Sequence, residues 1–242
     1  MYFFKTDKGK VREKNEDSVD IFESGNALFM CVLDGMGGHN RGDTASSLAL
    51  KVLKERLQNK KRYLTMGSLK KAIVRAVKKA NKTVNDLGNE LIEYSDMGTT
   101  LILCAFLKNK YIVCNIGDSR CYCFENKNGL KQVSEDQTYV AFLYKTGKIT
   151  FEEMKTHPKR HVLMNALGTY PSITMTIKKY KKNFSKVLLC SDGLYNMVSD
   201  LEIDEILRQK EDIHLKVDNL ITLANDHGGK DNIAVALWEE DE

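Results

Sequence analysis

Two apolar runs in this chain stop in the same way. Ala27-Leu28-Phe29-Met30-Cys31-Val32-Leu33 is followed at once by Asp34-Gly35, and Val187-Leu188-Leu189-Cys190 by Ser191-Asp192-Gly193. Each run has the length and composition of a buried strand, so each sets a carboxylate at a strand end beside a residue with no side chain. The run Tyr111–Asn115 leads into Gly117-Asp118. Asp231-Asn232, after Gly228-Gly229, directly precedes the apolar stretch Ile233–Trp238, and Asn15-Glu16-Asp17 precedes Ser18–Phe22. Any one Asp-Gly simply marks a turn. Five acidic spots at strand termini, however, can converge on one edge of a sheet core. Carboxylates gathered there repel one another unless a cation sits among them. Mg2+ and Mn2+, which take oxygen ligands, suit such a cluster. A glycine next to a ligand carboxylate lets the cation approach the backbone and leaves a carbonyl free to coordinate.

Between these ends the hydrophobic period changes along the chain. A helix is expected from about Asp43, as N-cap, with Ala45, Leu48, Ala49, Val52, Leu53 and Leu57 on one stripe. A second is expected from about Ser68, repeating Leu69, Ala72, Ile73, Ala76, Val77, Ala80, Val84, Leu87 and Leu91 at spacings of three and four. Strands are expected at Thr99–Leu107, Tyr111–Asn115 and Arg120–Phe124, then at Ile173–Tyr180, Lys186–Cys190 and Ile233–Trp238, with helices at Asp200–Arg208 and Ile213–Asp226. Residues 134–168 are polar with weak periodicity and read as a small flap subdomain. Strands in blocks and helices in blocks indicate α+β rather than alternating α/β. No linker, repeat or low-complexity segment divides the chain, so residues 1–242 read as one domain.

Composition excludes several classes. Thirty-seven Lys and Arg against 33 Asp and Glu leave a formal net charge of +4, too mild to make nucleic acid the main partner. No apolar run approaches the ~18–20 residues of a membrane span, and Met1–Lys5 is too short for the apolar core of a signal peptide. The six cysteines, 31, 104, 114, 121, 123 and 190, fall mostly inside apolar stretches and form no C-x-x-C pair. They read as buried free thiols in a reducing, cytoplasmic compartment.

The ordered set Val11-Arg12-x-x-Asn15-Glu16-Asp17, Asp34-Gly35-Met36-Gly37-Gly38-His39, Gly98-Thr99-Thr100, Gly117-Asp118-Ser119-Arg120, His157-Pro158, Ala166-Leu167-Gly168, Ser191-Asp192-Gly193-Leu194 and Asp231-Asn232 resembles the metal-dependent Ser/Thr protein phosphatases of type 2C, in their compact bacterial form. The resemblance runs from about Gly9 to Trp238. It implies a four-layer sandwich, two packed antiparallel β-sheets flanked by antiparallel helix pairs. It implies a Mn2+- or Mg2+-dependent phosphatase that hydrolyses phosphoserine and phosphothreonine by a metal-activated bridging water, without a covalent intermediate. Asp34 would bridge two core metals, with Gly35 offering its carbonyl to one. Asp192 and Asp231 would complete the first, Asp17 would serve the second directly or through water, with Glu16 as a possible helper, and Asp118 would belong to a weaker third. Arg12 would hold the substrate phosphate, for which its planar fork is apt. His39 is offered both as the acid for the leaving oxygen and as a turn residue. Partners implied are phosphorylated Ser/Thr proteins and a cognate Ser/Thr kinase, acted on by a monomer.

The chain departs from the family pattern at several points. Asp136 is followed by Gln137 where Asp-His is usual, His157-Pro158-Lys159-Arg160-His161 ends in His rather than Asn, Asn165 replaces the arginine before Ala-Leu-Gly, and Asn196 stands where a second Asp is usual. One rival reading is Cys114-x5-Arg120, which spells the nucleophile loop of cysteine phosphatases. That loop needs a helix N-terminus behind it, whereas Cys121–Phe124 reads as a strand. An aspartyl-phosphate mechanism lacks a second Asp two residues from Asp34. A catalytically dead binding domain would not be expected to keep Arg12, Asp34, Asp192 and Asp231.

Overall fold

The structure, a computed structural model, describes residues 1–37, 41–58 and 62–240. The strands are β1 (Tyr2–Asp7), β2 (Asp17–Ser24), β3 (Ala27–Met36), β4 (Gly98–Thr99), β5 (Leu101–Leu107), β6 (Lys110–Ile116), β7 (Arg120–Glu125), β8 (Gly129–Gln132), β9 (Thr176–Lys181), β10 (Lys186–Cys190) and β11 (Ile233–Glu239). The helices are α1 (Gly42–Gln58), α2 (Met66–Glu90), α3 (Tyr139–Lys145), α4 (Phe151–Thr156), α5 (Asp192–Tyr195), α6 (Asp200–Arg208) and α7 (Ile213–Asp226).

The strands form two antiparallel sheets, ordered β1-β11-β10-β7-β8 and β2-β3-β5-β6-β9, with β4 on β3. Period-2 alternation divides each central strand between two cores. Met30 and Val32 of β3, Ile102, Cys104 and Phe106 of β5, and Ala234 and Ala236 of β11 meet between the sheets. Phe29, Cys31 and Leu33, with Leu101, Leu103 and Ala105, face the opposite way, onto α1 and α2. Ile233, Val235 and Leu237, with Tyr122 and Leu188, face α6 and α7. Strands buried on both faces are apolar throughout, which is why β3, β5 and β11 read as continuous runs rather than alternating ones. The result is the four-layer sandwich expected, helix pair, sheet, sheet, helix pair.

Some boundaries differ from expectation. Asp43 lies inside the first turn of α1, which begins at Gly42, and its carboxylate accepts from the Thr44 N–H at 2.6 Å. Helix α2 begins two residues before Ser68. Thr65 caps it, and Ser68 returns a bond to the Thr65 N–H. Strand β9 starts at Thr176, three residues later than its apolar pattern suggests. The N-terminus is β1, whose partner is β11 at the other end of the chain, from Tyr2 opposite Trp238 to Asp7 opposite Ile233. A six-residue strand whose partner lies more than 200 positions away leaves little trace in local pattern. Inside 134–168 the chain forms α3 and α4, each capped by a threonine, Thr138 and Thr150.

Candidate metal centre

Antiparallel register brings the acidic strand ends to one end of the sandwich. Asp17 opens β2 and stands directly opposite Asp34 near the end of β3. Cys190, which ends β10 just before Asp192, pairs with Arg120 of β7 on one side and Val235 of β11 on the other. Asp118 and Asp231, immediately before β7 and β11, therefore reach the same end.

Backbone contacts set the spacing. A Cβ on Gly35 would stand 2.1 Å from the Gly42 carbonyl oxygen and 2.5 Å from that of Glu16. Only glycine lets the segment carrying Asp34 press against both the start of α1 and the segment carrying Asp17. Gly193 does the same on the other side, where a Cβ would stand 2.0 Å from the Asn232 carbonyl oxygen. Thus both Asp-Gly pairs press one carboxylate-bearing segment against another. The 8–14 loop is sewn to the Asp231 loop by Lys10 and Val11 N–H groups donating to the Gly229 carbonyl. The Asn232 side chain adds bonds to the Lys8 and Lys14 carbonyls and accepts from the Glu16 N–H. That stitching delivers Arg12, whose guanidinium lies 2.9 Å from an Asp231 oxygen.

The electrostatics are those of an acidic cluster short of positive charge. Burial and then neighbouring carboxylates push Asp17 up to about 8 and Asp118 to about 7, and burial with Asp231 pushes Asp192 to about 6. Asp34 is raised well above the ordinary carboxylate range, by burial first and then by the charges of Asp17, Asp192, Asp118 and Asp231. Such a set, oxygen-only and mutually repelling, fits hard divalent cations. Among the described residues, no three His, Cys, Asp or Glu side chains are gathered tightly enough to hold one ion as they stand. Three of the carboxylates already have other partners: Arg12 on Asp231, the Ser191 hydroxyl, which donates to Asp17 at 2.6 Å, and the Asn196 amide on Asp192.

The remaining expected residues fall into place unevenly. The Glu16 carboxylate accepts from the Gly42 N–H at 3.0 Å, so it ties β2 to the start of α1. The Asn196 amide donates to Asp192 at 3.1 Å, which sets it on a core carboxylate rather than on Asp118. His39 lies outside the described residues. The cysteine-nucleophile reading is overturned. Cys114 is fully buried in β6 facing α1 and α2, its thiol pushed up to about 12 by burial. Arg120 is held by two nitrogens on Asp136 and lies 3.6 Å from the centre of the Tyr195 ring.

Several supporting residues carried no assigned role in the sequence. The Thr100 hydroxyl accepts from the Asp34 N–H, while the Thr100 N–H and the Thr99 hydroxyl both donate to the Asp34 carbonyl. Ser191 links Asp17 to the Ala234 N–H of β11, and so ties the two sheets at the site. Gly98-Thr99-Thr100 and Ser191 were visible as motif pieces, but their contacts depend on strands far apart in sequence. Beside the carboxylates opens a cleft of about 330 Å3, lined by Arg160, His161, Asp192, Gly193, Asn196, Met197, Lys230 and Asp231.

Residues 8–233 match the family model described as Protein phosphatase 2C. The chain is 37% identical over 238 residues to the serine/threonine phosphatase stp of Listeria welshimeri, covering 98% of this chain and 94% of that protein. The crystal structure of the serine/threonine phosphatase Stp1 from Staphylococcus aureus superposes with a TM-score of 0.93 at 32% identity, over 100% of this chain and 95% of that one. The catalytic domain of the serine/threonine protein phosphatase PstP, solved in complex with 2 manganese ions, superposes with a TM-score of 0.83 at 32% identity, over 98% and 96%.

Proposed function

Since the chain belongs to the protein phosphatase 2C family and is a protein serine/threonine phosphatase, we propose that it removes phosphate from phosphoserine and phosphothreonine of proteins at the strand-end carboxylates, by attack of water and without a covalent intermediate. The observation that carries this reading is the placement of Asp17 opposite Asp34 in register, with Asp192 and Asp231 beside them. Like charges directly opposite on neighbouring strands are destabilising unless something compensates them.

In this reading Asp34, Asp192 and Asp231, with the Gly35 carbonyl, would hold one of two core Mn2+ or Mg2+ ions, Asp34 with Asp17, directly or through water, would hold the other, and Asp118 would hold a third, weaker one. Such ions would supply a water of lowered pKa and offset charge on the phosphoryl oxygens. Arg12, already at Asp231, grips the phosphate oxygens in a fork and fixes the phosphorus for in-line attack. Buried Cys114, with its raised pKa, offers no competing nucleophile. The leaving serine or threonine oxygen needs a proton, and His39 in the segment between β3 and α1 is the residue we assign. The flap at 134–168 is a subdomain of a single-domain enzyme, and the protein acts as a cytoplasmic monomer opposite a Ser/Thr kinase. No helix among the described residues is long and apolar enough to cross a membrane.

The test is release of phosphate from p-nitrophenyl phosphate and from a phosphothreonine peptide. EDTA should abolish both and Mn2+ should restore both. Calorimetric Mn2+ binding should be lost in Asp34→Ala and Asp192→Ala. Turnover indifferent to EDTA would overturn the assignment.

A further inference from the structure

Lys230 and Arg160 stand out among the cations near the site. Both line the 330 Å3 cleft beside Asp192 and Asp231, and they come from different parts of the chain: the loop before β11 and the turn after α4. Neither side chain has a hydrogen-bond or ion-pair partner among the described residues, although two carboxylates line the same cleft. Those carboxylates are otherwise engaged: Asp231 with Arg12, and Asp192 with Asn196. Elsewhere near the flap the lysines do find carboxylates, as Lys145 and Lys178 do on Glu135. The cleft therefore keeps two uncommitted positive side chains next to the place where the phosphoryl group must sit. Lys230 directly precedes Asp231 and lines the same cleft, so a group held by it shares that cleft with the carboxylates.

We propose that Lys230, with Arg160, forms a subsite for a second anionic group on the substrate, so that this enzyme favours phosphopeptides with an acidic or second phosphorylated residue close to the phosphorylated serine or threonine. The proposal rests on the phosphatase reading above and names the substrate class within it. An ammonium beside a guanidinium can take either a carboxylate or a phosphate, the second more strongly because it carries more charge. Because Lys230 and Arg160 are both exposed, the subsite sorts substrates by a modest factor and weakens as salt rises.

The experiment compares kcat/KM of the Mn2+-loaded enzyme on four phosphothreonine peptides: all-neutral flanks, a glutamate two residues away, a phosphoserine two residues away, and a glutamate six residues away. Each flank is tried on both sides. Affinities for the matching peptides with a non-hydrolysable phosphonate are measured by fluorescence anisotropy. The near-acid to neutral ratio should be about five- to tenfold, the size two partly exposed ion pairs supply, and larger with phosphoserine. In Lys230→Met it should fall to about two- to threefold, the share of the remaining Arg160 pair, in Lys230→Glu it should fall further toward one, and in Lys230→Met combined with Arg160→Gln it should be lost. Because the readout is a ratio within each variant, a general loss of activity cancels. A near-acid ratio of one in the unaltered enzyme, a ratio unchanged in Lys230→Glu, or an equal gain from the distant glutamate would each overturn the subsite, the last pointing to general electrostatic attraction. Failure to hydrolyse p-nitrophenyl phosphate with Mn2+ would instead sink the phosphatase reading itself.

Discussion

Asn196 and Arg12 each modify a core carboxylate, and each makes a prediction. Asn196 donates to Asp192 and helps hold its pKa down, yet it brings no charge to the cluster. Asn196→Asp would set a carboxylate beside Asp192, so the metal-free protein should lose stability while Mn2+ binds more tightly. A Mn2+ titration of phosphopeptide turnover should half-saturate at lower metal in the variant, and its Tm in EDTA should be lower. Superimposable titrations would show that position 196 has no part in holding metal. Arg12 is bonded to Asp231, but its assigned work is on the phosphate. Arg12→Ala should therefore raise KM about tenfold or more, the worth of a charge-assisted bond, while calorimetric Mn2+ affinity changes less. The cysteines should be silent: all six are buried with no disulfide, so iodoacetamide should leave activity of the folded enzyme intact.

At the scale of elements, the site is a set of strand ends held together by two glycines. Gly35→Ala would drive a Cβ into backbone at 2.1 Å, and backbone cannot swing away as a side chain can. Overpacking of this kind costs about 1–3 kcal/mol or more, which for a chain of this size lowers Tm by roughly 2–4 °C per kcal/mol. Metal-free Gly35→Ala should therefore melt several degrees below the unaltered protein, and a Tm within a degree would show that α1 yields without cost. The Asp-Gly pairs were legible from sequence because each follows an apolar run long enough to read as a strand. Their reason was not, because the facing backbone of Gly42 and Asn232 comes from other segments. The same limit hid β1, and hid the partnership of two departures from the family pattern. Asn165 donates to the Gln137 carboxamide oxygen at 2.7 Å, and that oxygen also accepts from the Gly117 N–H beside Asp118. Two substitutions 28 positions apart thus form one tether between the flap and the Asp118 loop.

For the whole molecule, the charge cluster sets how stability varies with pH. Four carboxylates, Asp17, Asp34, Asp118 and Asp192, have folded pKa values above the ordinary 3.8. The metal-free folded state therefore binds more protons than the unfolded chain between about pH 4 and pH 8. Stability falls with rising pH wherever the folded state binds the extra protons, so the acids should weaken the metal-free protein steadily across that window. His161 is lowered by burial and opposes the trend near neutrality, but it is one exposed group against four in the cluster. On the proposed metal reading divalent cations would reverse the balance, since they would bind the ionised carboxylates and displace those protons, with an affinity that rises with pH. Melting curves in EDTA should thus move to lower Tm from pH 5 to pH 8, and excess Mn2+ should raise Tm more at pH 8 than at pH 5. Asp17→Asn should flatten the EDTA slope, because it removes one of the raised pKa values while keeping a partner for the Ser191 hydroxyl. A metal-free Tm that rises over this range would mean that the strand-end acids do not carry the charge strain that makes the site a cation trap.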